Sequence, residues 1–340
     1  MTAETNDKIS KSPKNSLLFR NPVTRFLREN LGILIGLLIL CLILVIYDFH
    51  RGRTVFLSTN NIMNVLRQMS TNLYIACAMT MIIILGGIDL SVGSIMSLSG
   101  CVTAMLLMYN NFSLFMAVMM GLLVGIALGA FNGLVVSKTT IPPFIVTLAT
   151  MNIARGASYV YTGGQPIRVM SDSFNFIGSG YVLKNIPVPV IYLIIIVALS
   201  AFIMNRTRLG RHIYAVGGNP TAARFSGIKN ARVLFFAFLF SGLMSAISGI
   251  VLASRMFSGQ PTAGQGAEMD AIAAVVLGGT SMSGGVGKIG GTAIGALIIG
   301  VLNNGLNLLN INSFWQYIVK GVVILIAVYV DFLKKTRKQA

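Results

Sequence analysis

The sequence predicts an all-α protein: a polytopic transmembrane helical bundle of about ten spans, with glycine-broken helices and one short helix outside the membrane. Three observations predict this class. Hydrophobic residues make up 55% of the 340 residues and charged residues only 10%, whereas about a quarter of an ordinary soluble domain is charged. Apolar runs of membrane-spanning length recur along the chain. Basic residues collect in the short segments between those runs.

Ten apolar runs are candidate membrane spans. A bilayer core of about 30 Å is crossed by about 20 mainly apolar residues in a helix. Runs near this length lie at Leu31–Tyr47, Asn64–Leu85, Leu90–Met108, Leu114–Val136, Pro143–Tyr161, Val188–Met204, Val233–Ala253, Ala267–Leu277, Ile289–Leu309 and Phe314–Val330. The eighth run is short and flanked by glycine. A model with eight spans, in which the segments around Gly86 or Gly278 are re-entrant, therefore stays open.

The basic residues predict the topology. Lysine and arginine number 26 against nine acidic residues, a net charge of +17. Most of them lie in segments that the ten-span model places in the cytoplasm, as the positive-inside rule requires. We therefore expect cytoplasmic basic tails at residues 1–30 and 332–340 and a transmembrane domain at 31–331. The apolar run after the first tail has no small-residue cleavage site, which predicts an uncleaved first span. The charges share no face with aromatic residues, so no nucleic-acid partner is predicted.

Residues for catalysis or metal binding are not grouped in this sequence. Cys41, Cys77 and Cys101 lie inside apolar runs, at spacings that fit no metal site or disulfide framework. Glu268 and Asp270 are two residues apart, so they do not share a helix face. The stretch before Lys288 resembles a phosphate loop, but that motif requires glycine at 282 and serine or threonine at 289, where Met and Ile stand. We therefore predict no metal site, no bound cofactor and no enzymatic activity in this chain.

The central loop, residues 205–232, is the one long polar segment between two apolar halves. It carries six basic residues and no acid, so it is predicted to be cytoplasmic. Asn219 is a good N-cap, Pro220 suits the first helical position, and Gly227 can end a helix in a left-handed turn. The resulting helix, Pro220 to Ser226, is too short to be stable alone. It is interpreted either as a helix that docks on a partner or as part of a solvated loop that only sets topology.

Glycine patterns point to interrupted helices. The pattern L-G-G-x-x-[LM]-S-x-G occurs at Leu85–Gly93 and at Leu277–Gly285. Paired glycine-broken segments are typical of the working core of transporters, where broken helices expose backbone groups to a pathway. The candidate helix-break residues are Gly86, Gly87, Gly93, Gly278, Gly279 and Gly285. The different stripe of Gly121, Gly125 and Gly129, at four-residue spacing, is interpreted as helix packing.

Polar residues inside the predicted spans are candidates for a translocation pathway. Asp89, with Ser91 beside it, stands only in the first copy of the repeat, and an ionisable group at membrane depth is a functional candidate. Asp89 also suits the cap of a helix that begins at Leu90 or Ser91. Asn303, Asn304 and Asn307 lie in one predicted span, where their amides either join helices or line a wet path for sugar hydroxyls. Both alternatives stay open for both groups.

Several long motifs together resemble one family. They are G-G-I-D-L-S-V-G-S at Gly86–Ser94, R-L-G-R-H-I-Y-A-V-G-G-N-P-x-A-A-R-x-S-G-I at Arg208–Ile228, Q-P-T-A-G from Gln260, M-D-A-I-A-A-V-V-L-G-G-T-S at Met269–Ser281 and L-N-N-G-L-N-L-L at Leu302–Leu309. In this order and at these separations, they resemble the membrane permease of bacterial ATP-binding-cassette sugar importers, in the ribose-type branch. The resemblance spans roughly residues 60–330.

The resemblance implies a function and a set of partners. It implies a permease homodimer in the bacterial plasma (inner) membrane, an ATPase on the cytoplasmic face that binds ATP and magnesium, and an extracytoplasmic sugar-binding protein. It also implies that the short helix is a coupling helix that docks on the ATPase, with the residues Gly217, Gly218, Asn219, Pro220, Ala222, Ala223, Arg224, Ser226 and Gly227. Ribose is the expected monosaccharide, while xylose, galactose, allose, inositol or a signalling furanose are alternatives.

Two other function classes remain as alternatives. An ion-coupled secondary carrier of a small polar solute would use Asp89 and the repeat. A membrane enzyme ranks third, because the sequence offers no nucleophile and base pair.

Overall fold

The computed structural model describes residues 30–52, 54–110, 112–182, 186–312, 314–323, 325–326 and 329. Both predicted basic tails lie outside these residues, except for Asn30. Helices with complete boundaries are α1 (Leu31–His50), α2 (Thr59–Ile84), α3 (Val92–Met108), α4 (Leu114–Lys138), α5 (Pro143–Thr162), α6 (Asp172–Ser179), α7 (Val188–Arg206), α8 (Arg208–Gly218), α9 (Pro220–Phe225), α10 (Asn230–Arg255), α11 (Ala267–Leu277) and α12 (Ile289–Leu308). Residues 314–323 are also helical.

The helices confirm a helical membrane protein. Each predicted span coincides with a helix within a few residues at its described ends. Within the described residues, five helices are long and apolar enough to cross a bilayer, namely α1, α4, α7, α10 and α12. Helix α11 has only 11 residues, about 16 Å at 1.5 Å per residue, roughly half the hydrocarbon thickness. The choice between eight and ten spans stays a prediction.

Short strands depart from the all-α prediction. Strand β1 (Ile167–Arg168) pairs with β4 (Ser258–Gly259), and β2 (Tyr181–Val182) pairs with β3 (Ile186–Pro187), both antiparallel. Two-residue strands leave no periodic pattern in a sequence, so the prediction missed them. The β1–β4 pair joins the segment that follows α5 to the segment that follows α10.

Helices α4 and α10 approach each other through glycine, as the spacing of the α4 glycines predicts. A Cβ added at Gly125 would lie 2.5 Å from the carbonyl oxygen of Gly242, and one added at Gly129 would lie 2.6 Å from that of Phe238. Real Cβ atoms do not approach backbone so closely, so these positions require glycine. Around this contact, α2 is buried without interruption from Leu73 to Ile84, which makes it the central helix of the bundle.

Candidate functional site

Helices α2 and α11 end in the same way at the two copies of the glycine repeat. After α2, Gly86 is left-handed (φ 80°), and the N–H groups of Gly86 and Gly87 donate to the carbonyls of Ile83 and Ile82, both at 2.9 Å. After α11, Gly279 is left-handed (φ 81°). Its N–H donates to Val276 and that of Thr280 to Val275, at 2.9 and 3.2 Å. Both ends are Schellman caps, in which glycine supplies the left-handed residue.

The structural repeat is offset by one residue from the sequence repeat. The left-handed glycine is the first of the pair in one copy and the second of the pair in the other. The two copies also contact each other, because the Gly285 N–H of the second copy donates to the Ile84 carbonyl at 2.8 Å. The predicted helix breaks are therefore joined where α2 ends. Gly93 has a different place: it lies in the first turn of α3, packed against the carbonyl oxygen of Gly264.

The predicted short helix is present as α9. The Asn219 side chain accepts a hydrogen bond from the Ala222 N–H at 2.9 Å, Pro220 is the first helical residue, and Gly227 is left-handed at φ 83°. The helix ends at Phe225, one residue before the predicted Ser226. Ala223 is buried, whereas Phe225 is 88% exposed. Helix α9 therefore buries an alanine against the protein and leaves its phenylalanine uncovered.

The sequence did not predict α8, which precedes α9 in the central loop. It packs against the end of α2 and against the loop that follows α11. A Cβ at Gly217 would lie 1.9 Å from the Ile84 carbonyl oxygen, and the Tyr214 hydroxyl donates to the Gly287 carbonyl at 2.8 Å. Burial raises the pKa of Tyr214, so its hydroxyl stays protonated as a donor. These contacts place α8 between α9 and the end of α2.

Asp89 lies at the end of a chain of hydrogen bonds and is fully buried. One carboxylate oxygen accepts from the Ser91 N–H at 2.9 Å and from the Ser91 hydroxyl at 2.5 Å; the other accepts from the Ser241 hydroxyl at 2.7 Å. Asn132 donates to Ser91, and Thr150 donates to Asn132. Every donor in this network points toward the carboxylate, the arrangement that stabilises a buried negative charge. Asp89 thus joins α3, α4, α5 and α10.

This geometry predicts the behaviour of Asp89→Asn. The new amide can still accept from Ser91 and donate to the Ser241 hydroxyl, but its hydrogen bonds are no longer charge-assisted, at a cost of about 2 kcal/mol. We expect a lower melting temperature in detergent and reduced uptake that stays independent of an ion gradient. The matched control is Asp172→Asn, at an exposed aspartate in the first turn of α6. Unchanged melting with loss of an ion-gradient dependence would instead support a secondary carrier.

The three candidate asparagines of α12 and its C-terminal end have three different surroundings. Asn304 exchanges two hydrogen bonds with Asn61 of α2, at 2.8 and 3.0 Å, and so joins two helices. Asn307 is exposed and accepts from Gln316. Asn303 lines a cavity of about 170 Å³ between α2, α12 and the segment before α11. Of the three, only Asn303 faces a space that could admit a solute.

Arg155 is a residue whose role the sequence did not predict. It lies in α5, and its Nη1 donates to the carbonyls of Pro261 and Ala263, at 2.7 and 2.8 Å. The Ser97 hydroxyl of α3 donates to Pro261 as well, at 2.8 Å. Together they hold the loop that follows β4 against the start of α3. The sequence does carry one signal for such a role, because a single cationic residue inside a predicted membrane span is usually functional.

A known protein family matches most of this chain. Residues 61–328 match the family model described as branched-chain amino acid transport system / permease component. The chain belongs to this permease family. It is 47% identical to the ribose import permease protein RbsC of Haemophilus influenzae over 287 residues, 83% of this chain and 88% of that protein. It is 48% identical to RbsC of Bacillus subtilis over 305 residues, 89% and 92% of the two chains.

A third relative of this permease is the D-allose transport system permease protein AlsC of Escherichia coli, 42% identical over 279 residues, 82% of this chain and 85% of that protein. No solved structure matches the permease significantly. The family predicted from the sequence motifs is confirmed. The chain is a multi-pass membrane permease.

Proposed function

We propose that this permease is the membrane-spanning subunit of an ATP-binding-cassette importer that moves ribose, or a closely related monosaccharide, into the cytoplasm. The observation that carries the proposal is the attachment of the exposed α9, through α8, to the end of α2 and to the loop that follows α11. An exposed helix without further contacts could bind a partner but would not move the rest of the bundle. A docking helix fixed by Gly217 and Tyr214 to the interrupted segments converts movement of a bound partner into movement of the bundle.

The names of the relatives support ribose as the substrate. Two permeases at 47% and 48% identity are named for ribose import, and one at 42% for allose. These names describe sugars, whereas the family model carries an amino-acid transport description. Identity is higher to the named ribose permeases than to the named allose permease. Ribose is therefore the first expectation and another monosaccharide the second.

The assembly follows from what the permease lacks. Its sequence has no complete phosphate-loop motif, so ATP and magnesium are bound by a separate ATPase subunit that docks on α9. A sugar-binding protein delivers substrate from outside. Two permease copies form a homodimer in the inner membrane, with the central loop and both termini in the cytoplasm. The positive charge of the central loop supports this orientation.

Transport then proceeds as a two-state cycle. Closure of the ATPase pulls α9, and the contacts of α8 carry the displacement to Ile84 and Gly285, where the two broken segments meet. The glycine-ended helices shift as rigid bodies about these ends and open the bundle to the other side. Packed interfaces of this kind switch between discrete arrangements rather than deform continuously.

Uptake of a panel of radiolabelled solutes tests the substrate. Cells that express the permease with its neighbouring ATPase and binding protein should accumulate ribose above allose and xylose, and should not accumulate leucine. Cells with the permease alone provide the control and should show no accumulation. Uptake of leucine without sugar uptake would contradict the proposal.

A further inference from the structure

A cavity within the bundle has the chemistry of a binding site for a neutral polyol. It is lined mainly by α2, α12 and the segment that leads into α11, and has a volume of about 170 Å³. A single ordered water requires only about 10–15 Å³. The cavity therefore has room for a small solute or a cluster of waters.

Two side chains in its wall offer unused hydrogen-bond acceptors. The amide oxygens of Asn72 on α2 and Asn303 on α12 are buried and accept no hydrogen bond. Gln68 and Gln265 add two further amides to the lining. An unsatisfied buried acceptor costs free energy unless a ligand or water supplies a donor. Hydroxyl groups are donors of the right kind.

Apolar side chains complete the wall. Ile75, Met96 and Ile299 line it, and such side chains suit the C–H faces of a sugar ring. Small-molecule sites usually combine apolar walls with a few placed polar groups. The lining therefore fits a molecule with a polar rim and apolar faces.

The charge of the cavity excludes ions as the preferred ligand. Asp270 is the only charged residue among the described residues that line it, and Lys320 neutralises it through a salt bridge of 2.9 Å. A cation would need a free carboxylate. A zwitterionic amino acid would need partners for both of its charges. Amides without net charge favour a neutral, hydroxyl-rich solute.

We propose that Asn72 and Asn303 form a transit subsite for a monosaccharide within the permease, with Gln68 beside them and Ile75, Met96 and Ile299 as the apolar wall. This subsite rests on the proposed transport function and adds the residues that contact the sugar. Uncharged hydrogen bonds contribute little each, so the subsite holds sugar weakly and releases it. It selects uncharged sugars over amino acids.

Cysteine protection tests the subsite. Cys77 and Cys101 are buried and Cys41 is half-buried, so Cys41→Ser supplies the parent. Asn72→Cys and Asn303→Cys are reconstituted with the ATPase and the binding protein and treated with a membrane-impermeant thiol reagent. Ribose-loaded binding protein should slow labelling about fivefold relative to sugar-free binding protein, the effect of about one hydrogen bond. Leucine should give no protection. Asn307→Cys, exposed beyond the cavity, should be labelled at one rate throughout.

Sugar uptake by the Asn303→Leu variant gives an independent measurement. Asn303→Leu should reduce ribose uptake about fivefold while the ATPase rate is retained. Asn152→Leu, a matched change at an exposed asparagine on α5, should transport normally.

Four results would overturn the subsite. Cysteines at 72 and 303 that never react, or that react equally with and without ribose in a transporting complex, contradict the subsite but not the proposed transport function. Normal uptake by Asn303→Leu contradicts it as well. No ribose uptake by the Cys41→Ser parent contradicts the proposed function, and the subsite with it.

Discussion

Gly217→Ala is expected to abolish ribose uptake. The added Cβ would lie 1.9 Å from the Ile84 carbonyl oxygen and 3.0 Å from the Gly285 backbone nitrogen. These are the two atoms that join the broken segments, at 2.8 Å. Because backbone cannot move aside as a side chain can, α8 must separate from α2, at a cost of about 1–3 kcal/mol. The contact that carries movement from α9 to the bundle is then lost.

An exposed glycine away from the central loop supplies the control for this change. A Cβ at Gly156 on α5 meets nothing within 4 Å, so Gly156→Ala adds the same methyl group without a clash. Both variants are measured for membrane insertion, ATPase activity of the reconstituted complex and uptake. Gly217→Ala should insert and hydrolyse ATP without uptake, and Gly156→Ala should transport normally. Normal uptake by Gly217→Ala would contradict the transmission contact.

Phe225→Ala is expected to weaken docking of the ATPase. Phe225 is 88% exposed on α9, and burial of such a side chain in a partner is worth about 1.5–3 kcal/mol. Its removal should weaken ATPase binding roughly 10- to 100-fold, since 1.4 kcal/mol is a factor of ten. ATP-dependent uptake should fall by a similar factor at limiting ATPase. Binding is measured with permease in nanodiscs.

A second exposed phenylalanine provides the matched control. Phe176 is 53% exposed on α6, far along the chain from the central loop, and Phe176→Ala should leave ATPase affinity unchanged. Wild-type ATPase affinity and uptake in Phe225→Ala would contradict the role of α9. Equal loss in both variants would show a general effect of removing an exposed aromatic residue.

Local signals in the sequence predict α9 and the helix breaks well. An N-cap, a proline at the first helical position and a left-handed glycine fix α9 within one residue, because each acts on its own backbone. Helix α8 escapes prediction because its glycine-rich sequence has little helical preference of its own. It is stabilised by tertiary packing, where Ile213 and Val216 are buried and Gly217 meets α2.

The partners of the buried polar residues could not be predicted from the sequence. The sequence marks Asp89 as unusual, but Ser241, which hydrogen-bonds it, is 152 positions away, and no local pattern connects them. Asn303 and Asn304 are adjacent and so point to different faces of α12. Helical spacing predicts that their surroundings differ. Only the packed structure shows that Asn304 faces Asn61 and Asn303 faces the cavity.

ATP-driven accumulation in proteoliposomes tests the central claim most directly. The permease is reconstituted alone and with its ATPase, with the sugar-binding protein and ribose outside and ATP on the ATPase side. The account predicts that only the complete complex concentrates ribose, that it requires ATP, and that dissipating ion gradients changes nothing. Concentrative uptake by the permease alone, driven by an ion gradient, would contradict it.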